Sequence, residues 1–217
     1  MPQVVSVNVG RPREFAWAGI GRTSIDKHAV AGPVPVGPLG FEGDECSDTQ
    51  HHGGIDQAVY AFAREDLDHW AAVLGQDIAA GQFGENLTTS GLDVNESEIG
   101  ERWRIGEVIL EVASVRTPCN DFKMWMGLGG YDNRAWVRRF AEEARPGPYL
   151  RVLAPGVVAA GDELTVIHEP GHGVTVSTMF RALFFDHSLL PELLRVDGLV
   201  AQARAKAEAY AAAANAG

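Results

Sequence analysis

What most constrains this chain is its punctuation. Over the first two thirds, short strand-like stretches are cut apart by Gly and Pro at nearly every gap. "QVVSVNV" (3–9), "QAVYAF" (57–62), "EVILEVASV" (107–115) and "DELTVIH" (162–168) are rich in Val, Ile, Tyr or Phe and partly alternate, the period of a half-buried strand. The densest break is "AGPVPVGPLGFEGD" (31–44). Many short strands with little long helix between them predict a mainly β fold, a β-barrel or sandwich, and disfavour a doubly wound parallel sheet.

Two helices interrupt the pattern. "REDLDHWAAVLG" (64–75) sets Leu67, Trp70, Val73 and Leu74 on one face, has Glu65 and Asp66 in its first turn, and stops at Gly75. "NRAWVRRFAEEARPG" (133–147) groups Trp136, Val137 and Phe140 and ends before Pro146-Gly147. After His172 the chain reads as helical almost throughout, with breaks at Asp186-His187-Ser188 and Asp197-Gly198. Ser188 and Asp197 are the expected N-caps of the last two segments. The expected division is a β domain over 1–170 and a three-helix appendage over 171–217. Short helices cannot make a large core alone, so the appendage packs on the β domain or on another molecule, a homodimer contact included.

Composition narrows the function. With 217 residues and 46% hydrophobic content the chain can bury a proper core. Its 18 basic and 29 acidic residues give a net charge of −11, which argues against nucleic acid as a partner. An anionic ligand would need a local basic cluster set against that global field. Two cysteines, Cys46 and Cys119, make no disulfide framework. The first residues alternate like a strand and do not read as a targeting segment, and no apolar run reaches membrane-spanning length. The expectation is a cytoplasmic protein with reduced thiols and no membrane partner.

The chemistry-bearing residues fall in three stretches. "GDECSDTQHHGGIDQA" (43–58) gathers Asp44, Glu45, Cys46, Asp48, His51, His52 and Asp56, superficially a metal site. Adjacent histidines on a strand point to opposite faces, and zinc-ligand spacing is absent. The His52-Gly53-Gly54 loop reads either as a tight approach to an anion or as a plain hairpin turn. In "GQFGENLTTSGLD" (81–93), Asn86 either meets a polar ligand ring with its amide or satisfies its own loop. In "SVRTPCNDFKMWMG" (114–127), Cys119 follows Pro118 past a strand end and emerges at a rim, where Arg116 and Lys123 favour its thiolate. A nucleophile also needs a base, and the sequence places neither His52 nor His28 beside it. The other reading of Cys119, and of Cys46, is an inert thiol. "MWMG" (124–127) reads as ordinary core beside a strand end, or as the lining of a pocket for a flat heterocycle.

Taken together, "LGFEGDE", "HHGGIDQAVYAF", "FGENLTTSGL", "IGERWRIGEVILEVASVRTPC" and "YLRVLAPGVVAAGDELTV" resemble, in order and spacing, the MOSC-domain proteins, named for the C-terminal domain of molybdenum cofactor sulfurases. "HGVTVSTMFRALFFDHSLLPELL" resembles the helical appendage of the YiiM-like branch. The resemblance implies a pyruvate-kinase-like β-barrel that binds the molybdenum cofactor (Mo-molybdopterin), with Cys119 as its sulfur ligand to molybdenum and as the catalytic residue. It implies His52, Gly53, Gly54, Asn86, Arg116 and Lys123 as cofactor-binding residues, with Asp44 and Asp56 bracing loops. Pyridoxal phosphate binding comes with it only as a family-level description. The implied activity is reduction of small N-hydroxylated compounds; the alternative is a non-catalytic carrier or sulfur-transfer protein using a Cys119 persulfide. Several relatives carry a basic residue directly after the cysteine, where this chain has Asn120 and Asp121 before Lys123. Two cysteines cannot ligate a plant-type iron–sulfur cluster and no dinucleotide fingerprint follows a strand, so electrons would come from a separate donor protein.

Overall fold

The computed structural model describes residues 1–50 and 52–215. His51, part of the acidic and histidine-rich stretch, lies outside them. The strands are β1 (Gln3–Val9), β2 (Arg13–Glu14), β3 (Arg22–Thr23), β4 (His28–Ala29), β5 (Val34–Gly37), β6 (Gly40–Phe41), β7 (Val59–Ala63), β8 (Leu87–Ser90), β9 (Arg102–Ile105), β10 (Val108–Val115), β11 (Pro148–Ala154), β12 (Gly156–Val158) and β13 (Leu164–His168). The α-helices are α1 (Arg64–Leu74), α2 (Asn120–Leu128), α3 (Trp136–Glu143), α4 (Val176–Phe184) and α5 (Ala201–Asn215), and 3-10 helices cover Ile55–Gln57 and His187–Arg195. Among the described residues no helix is long and apolar enough to cross a membrane.

Eight strands form one sheet in the order β13-β9-β10-β11-β7-β8-β1-β4, antiparallel except for the β7–β8 pair, which α1 connects as a crossover. β5, β6 and β12 make a smaller sheet and β2–β3 a short hairpin. The expected closed barrel is not found; the fold is sheet-rich and mixed with helices. β1 shares one edge between two partners. Near its start, Gln3 bridges Glu163 and the Val4 amide donates to Asp162 O at 2.9 Å; further on, Asn8 and Val9 pair with β4. A register shift between Val4 and Ser6 in its pairing with β8 falls where the strand changes neighbours. The last strand is therefore tied to the first by a bridge, without a continuous ladder.

β7 shows how pattern becomes packing. All five of its residues are buried because alternation sends them into two cores. Val59, Ala61 and Ala63 face an aliphatic core with Leu87, Trp103 and Leu110, while Tyr60 and Phe62 face an aromatic cluster of Trp70, Phe83, Phe122, Trp136 and Phe140. Most rings in that cluster meet edge-on or tilted, as in Phe83–Phe122 with centroids 5.2 Å apart, an arrangement their quadrupoles favour, while Phe140 stacks on Phe62 and Trp70.

Three expectations change. The residues after Cys119 form a helix, α2, because Phe122 and Met126, one turn apart, both bury into the aromatic cluster. The segment after α4 is a 3-10 helix containing Pro191, capped by Asp186, which accepts from the Ser188 amide; Ser188 is not the cap. Asp197 lies before the first residue of α5 at Ala201 and does not cap it directly. Val176, Met179, Phe180, Leu190, Leu193 and Ala207 of the helical tail belong to the same aliphatic core as the sheet.

Candidate functional site

β10 ends at Val115, and the next four residues turn the chain from strand to helix. The Arg116 amide donates to Gly147 O at 3.1 Å, which fixes this turn against the segment entering β11. Cys119 then occupies the position just before α2. Around it opens a cavity of about 1220 Å3, lined from Gly19 to Lys206. His52, Gly53, Gly54, Asn86, Arg116 and Cys119 all line it, so segments distant in sequence meet at one place. Lys123 does not; its carbonyl accepts from Asn133 Nδ2 on the far side of α2. Asp56 lines no part of it and pairs with Arg151, while exposed His28 pairs with Asp26.

His52, which sequence could not place beside Cys119, lines the same cavity. Burial pushes the Cys119 thiol up, but a hydrogen bond from the His52 side chain, the charge of Arg116 and the Phe122 amide outweigh it, so the thiol lies below its ordinary range. Cys46 lines the same cavity and behaves oppositely: burial raises its thiol, and its sulfur contacts Asp48 O at 3.6 Å. The two thiols are thus shifted in opposite directions.

Arg116 is 5% exposed and stands over three aromatic rings, 3.8 Å from the Phe122 centroid, 5.2 Å from Tyr60 and 5.7 Å from Phe140. Burial works against its charge; Tyr60, Tyr149 and Cys119 outweigh that and hold the guanidinium charged. Its Nη1 has no hydrogen-bond partner among the described residues. An unspent donor on a buried cation is costly unless something else completes it.

Asn86 lines the cavity but its amide is occupied. Nδ2 donates to Asn8 O at 3.2 Å and to Asp44 Oδ2 at 2.8 Å, and Oδ1 accepts from the Tyr60 amide. Its neighbour Glu85 is fully buried and accepts from the Gly81 and Phe83 amides, so "GEN" braces the wall. The Gly53 amide is likewise spent, on Gln57 Oε1 at 3.2 Å. Gly53 has φ of 76°, and a Cβ there would sit 3.0 Å from Cys46 Sγ, so glycine is required.

Sequence reasoning missed Lys27, whose buried ammonium pairs with Asp44 in the cavity wall, and Tyr60 and Tyr149. Their partners are distant in sequence, and nothing local signals the meeting. Arg22 and Lys206 also line the cavity, giving it several cations in a chain of net charge −11. Among the described residues, no group of three His, Cys, Asp or Glu side chains is set to hold a metal ion, so a metal at Cys119 would bring further ligands with it.

A sheet-rich scaffold with a large cavity, lined by Cys119, by the cations Arg22, Lys27, Arg116 and Lys206 and by the carboxylates Asp44, Glu45, Asp48 and Asp121, has the form of a ligand-binding protein. The MOSC domain model matches residues 48–165, more than half of the chain, and the chain belongs to that family, which is associated with the molybdenum cofactor. It is 29% identical over 194 residues to the uncharacterized protein YflK of Bacillus subtilis, covering 89% of this chain and 86% of that protein. It is 30% identical over 148 residues to protein YiiM of Escherichia coli, covering 67% and 64% respectively. A protein of Gibberella moniliformis named "Reductase" matches at 29% over 174 residues, though the match spans 29% of that longer protein. In fold, the crystal structure of YiiM from Geobacillus stearothermophilus superposes with a TM-score of 0.79 at 24% identity, covering 97% of this chain and 99% of that one. The chain is thus a YiiM-like MOSC protein.

Proposed function

We propose that this protein is an oxidoreductase that holds the molybdenum cofactor in the cavity through Cys119 and reduces the N–O bond of small N-hydroxylated compounds. The observation that carries the reading is the pairing of a lowered thiol with a buried arginine whose Nη1 is unspent. The donor set fits the group. A soft thiolate suits molybdenum, and the unspent Nη1 of buried Arg116 suits an anionic oxygen of its pterin. When bound, the cofactor supplies the two-electron metal centre.

The protein's own residues prepare that place. Cys119 offers its sulfur as thiolate, and His52, hydrogen-bonded to it, is positioned to hold a proton beside it. Arg116 balances negative charge in a site where burial keeps water from doing so. Gly53 lets the loop pass Cys46 closely, and Asn86 supports the wall from behind. The net reaction is R–NHOH with two electrons and two protons giving R–NH2 and water, the N–O bond breaking. A separate protein would donate the electrons.

The test is protein made in a host that synthesises the cofactor, assayed with an artificial electron donor on an N-hydroxylated base. The expected outcome is turnover together with bound molybdenum, both lost in Cys119→Ser. Turnover that survives in that variant would overturn the ligand assignment. Tight molybdenum binding without turnover would support the carrier reading in its place.

A further inference from the structure

The cavity exceeds what one occupant needs. Pockets that enclose a drug-sized ligand run to roughly 300–1,000 Å3, and this one reaches about 1220 Å3. Its two ends differ in chemistry. The floor carries Cys119, Arg116 and Lys27. The mouth carries Ile20, Leu39 and Phe184, which are 49%, 75% and 44% exposed. These three come from the β2–β3 connection, the β5–β6 turn and the end of α4, so no single element's amphipathic pattern explains why they converge. Phe184 packs on Phe180, the two rings tilted with centroids 4.8 Å apart, and Leu183 and Met179 also line the cavity. Apolar groups left in water around a polar cavity mark a place where an apolar ligand part is covered.

We infer that this mouth is a subsite for the apolar body of the substrate, and that Phe184 and Leu39 set its specificity. The molecule it takes is amphipathic, with a compact hydrophobic group about the size of an aromatic ring and a polar N–O group that reaches toward Cys119. This inference rests on the reductase reading for the reaction, but the subsite itself is a matter of binding. The occupant is a small molecule because the three apolar side chains line the same cavity as Cys119 and Arg116.

The experiment compares benzamidoxime with acetamidoxime, which share the reacting group and differ in apolar body. With cofactor-loaded protein and an artificial donor, Phe184→Ala should lower the ratio of kcat/KM for benzamidoxime over acetamidoxime about tenfold, as loss of one apolar contact surface does. Leu39→Ser should move the ratio the same way, and Phe184→Tyr should restore most of it. Val157→Ala, an exposed apolar position away from the cavity, should leave the ratio intact. An unchanged ratio in both Phe184→Ala and Leu39→Ser overturns the inference, as does an effect that appears only with a protein donor, which would make the mouth a partner's docking surface. Equilibrium binding of benzamidoxime to cofactor-free protein is measured alongside. If loaded protein reduces neither compound, the reductase reading fails. Weaker binding in Phe184→Ala would then still uphold the subsite, and equal binding would reject it.

Discussion

Arg116 is a buried cation whose neighbours among the described residues are rings, hydroxyls and a thiol, with no carboxylate in an ion pair. Its rings and neighbouring hydroxyls outweigh the burial of this charge, so Arg116→Met should destabilise cofactor-free protein by about 1–2 kcal/mol. The same variant should retain under about a tenth of the molybdenum, if the guanidinium serves the cofactor. Thermal denaturation and metal analysis read the two effects separately. Cys119 gives a second test, because its folded thiol lies below the ordinary value of 9.0. That depression contributes stability fully above 9.0 and loses it as pH falls through the folded value. Iodoacetamide should accordingly label Cys119 with a half-maximal rate below that pH, and His52→Ala should move the profile upward and slow labelling at neutral pH. An unmoved profile would remove His52 from the thiol's environment. Cys119 and Arg116 were legible in sequence because they sit three residues apart around a proline. His52 was named by resemblance, but its bond to the sulfur was not legible, and Lys27 was invisible because its partner Asp44 lies 17 residues away and nothing beside Lys27 marks the pairing. Asn86 was readable either way, and only the positions of Asn8, Asp44 and Tyr60 settle that its amide is spent.

At the scale of elements, α2 is the instructive miss. "NDFKMWMG" follows a strand and a proline, and its aromatic and thioether residues read as core. What makes it a helix is tertiary: Phe122 and Met126 find the aromatic cluster on one side. α1 was legible because its apolar stripe, acidic first turn and Gly75 stop, with φ of 66°, all agree locally. Asp121, in the first turn of α2, accepts the Gly19 amide at 3.1 Å and so ties the β2–β3 connection to the cavity's edge. Asp121→Ala should release that strap and raise the labelling rate of Cys119 severalfold while leaving the pH profile in place. A shifted profile with no rate increase would mean that Asp121 acts on the thiol's charge and not on access.

For the whole molecule, the change of character near residue 170 was visible as a shift from strand pattern to helix pattern, and the three helical segments lie where the breaks placed them. The extent of packing was not visible, because a helix's apolar face names no partner. In the structure, α4 and α5 contribute to the core that holds β1, β7 and β10. Calorimetry of the full chain should therefore show one cooperative transition, and a chain ending at residue 170 should lose it or melt at least 10 °C lower, consistent with core loss at about 2–4 °C per kcal/mol. Two separable transitions would show the appendage to be an independent unit. The pairing of Gln3 with Glu163 carries a consequence for biosynthesis. β1 gains this neighbour only after the chain has been made as far as Glu163, and long-range pairings of this kind are slow to form. Lys206 adds to the cavity's lining from further along the chain. Whatever fills the cavity therefore meets its complete lining only once the chain has been made as far as Lys206.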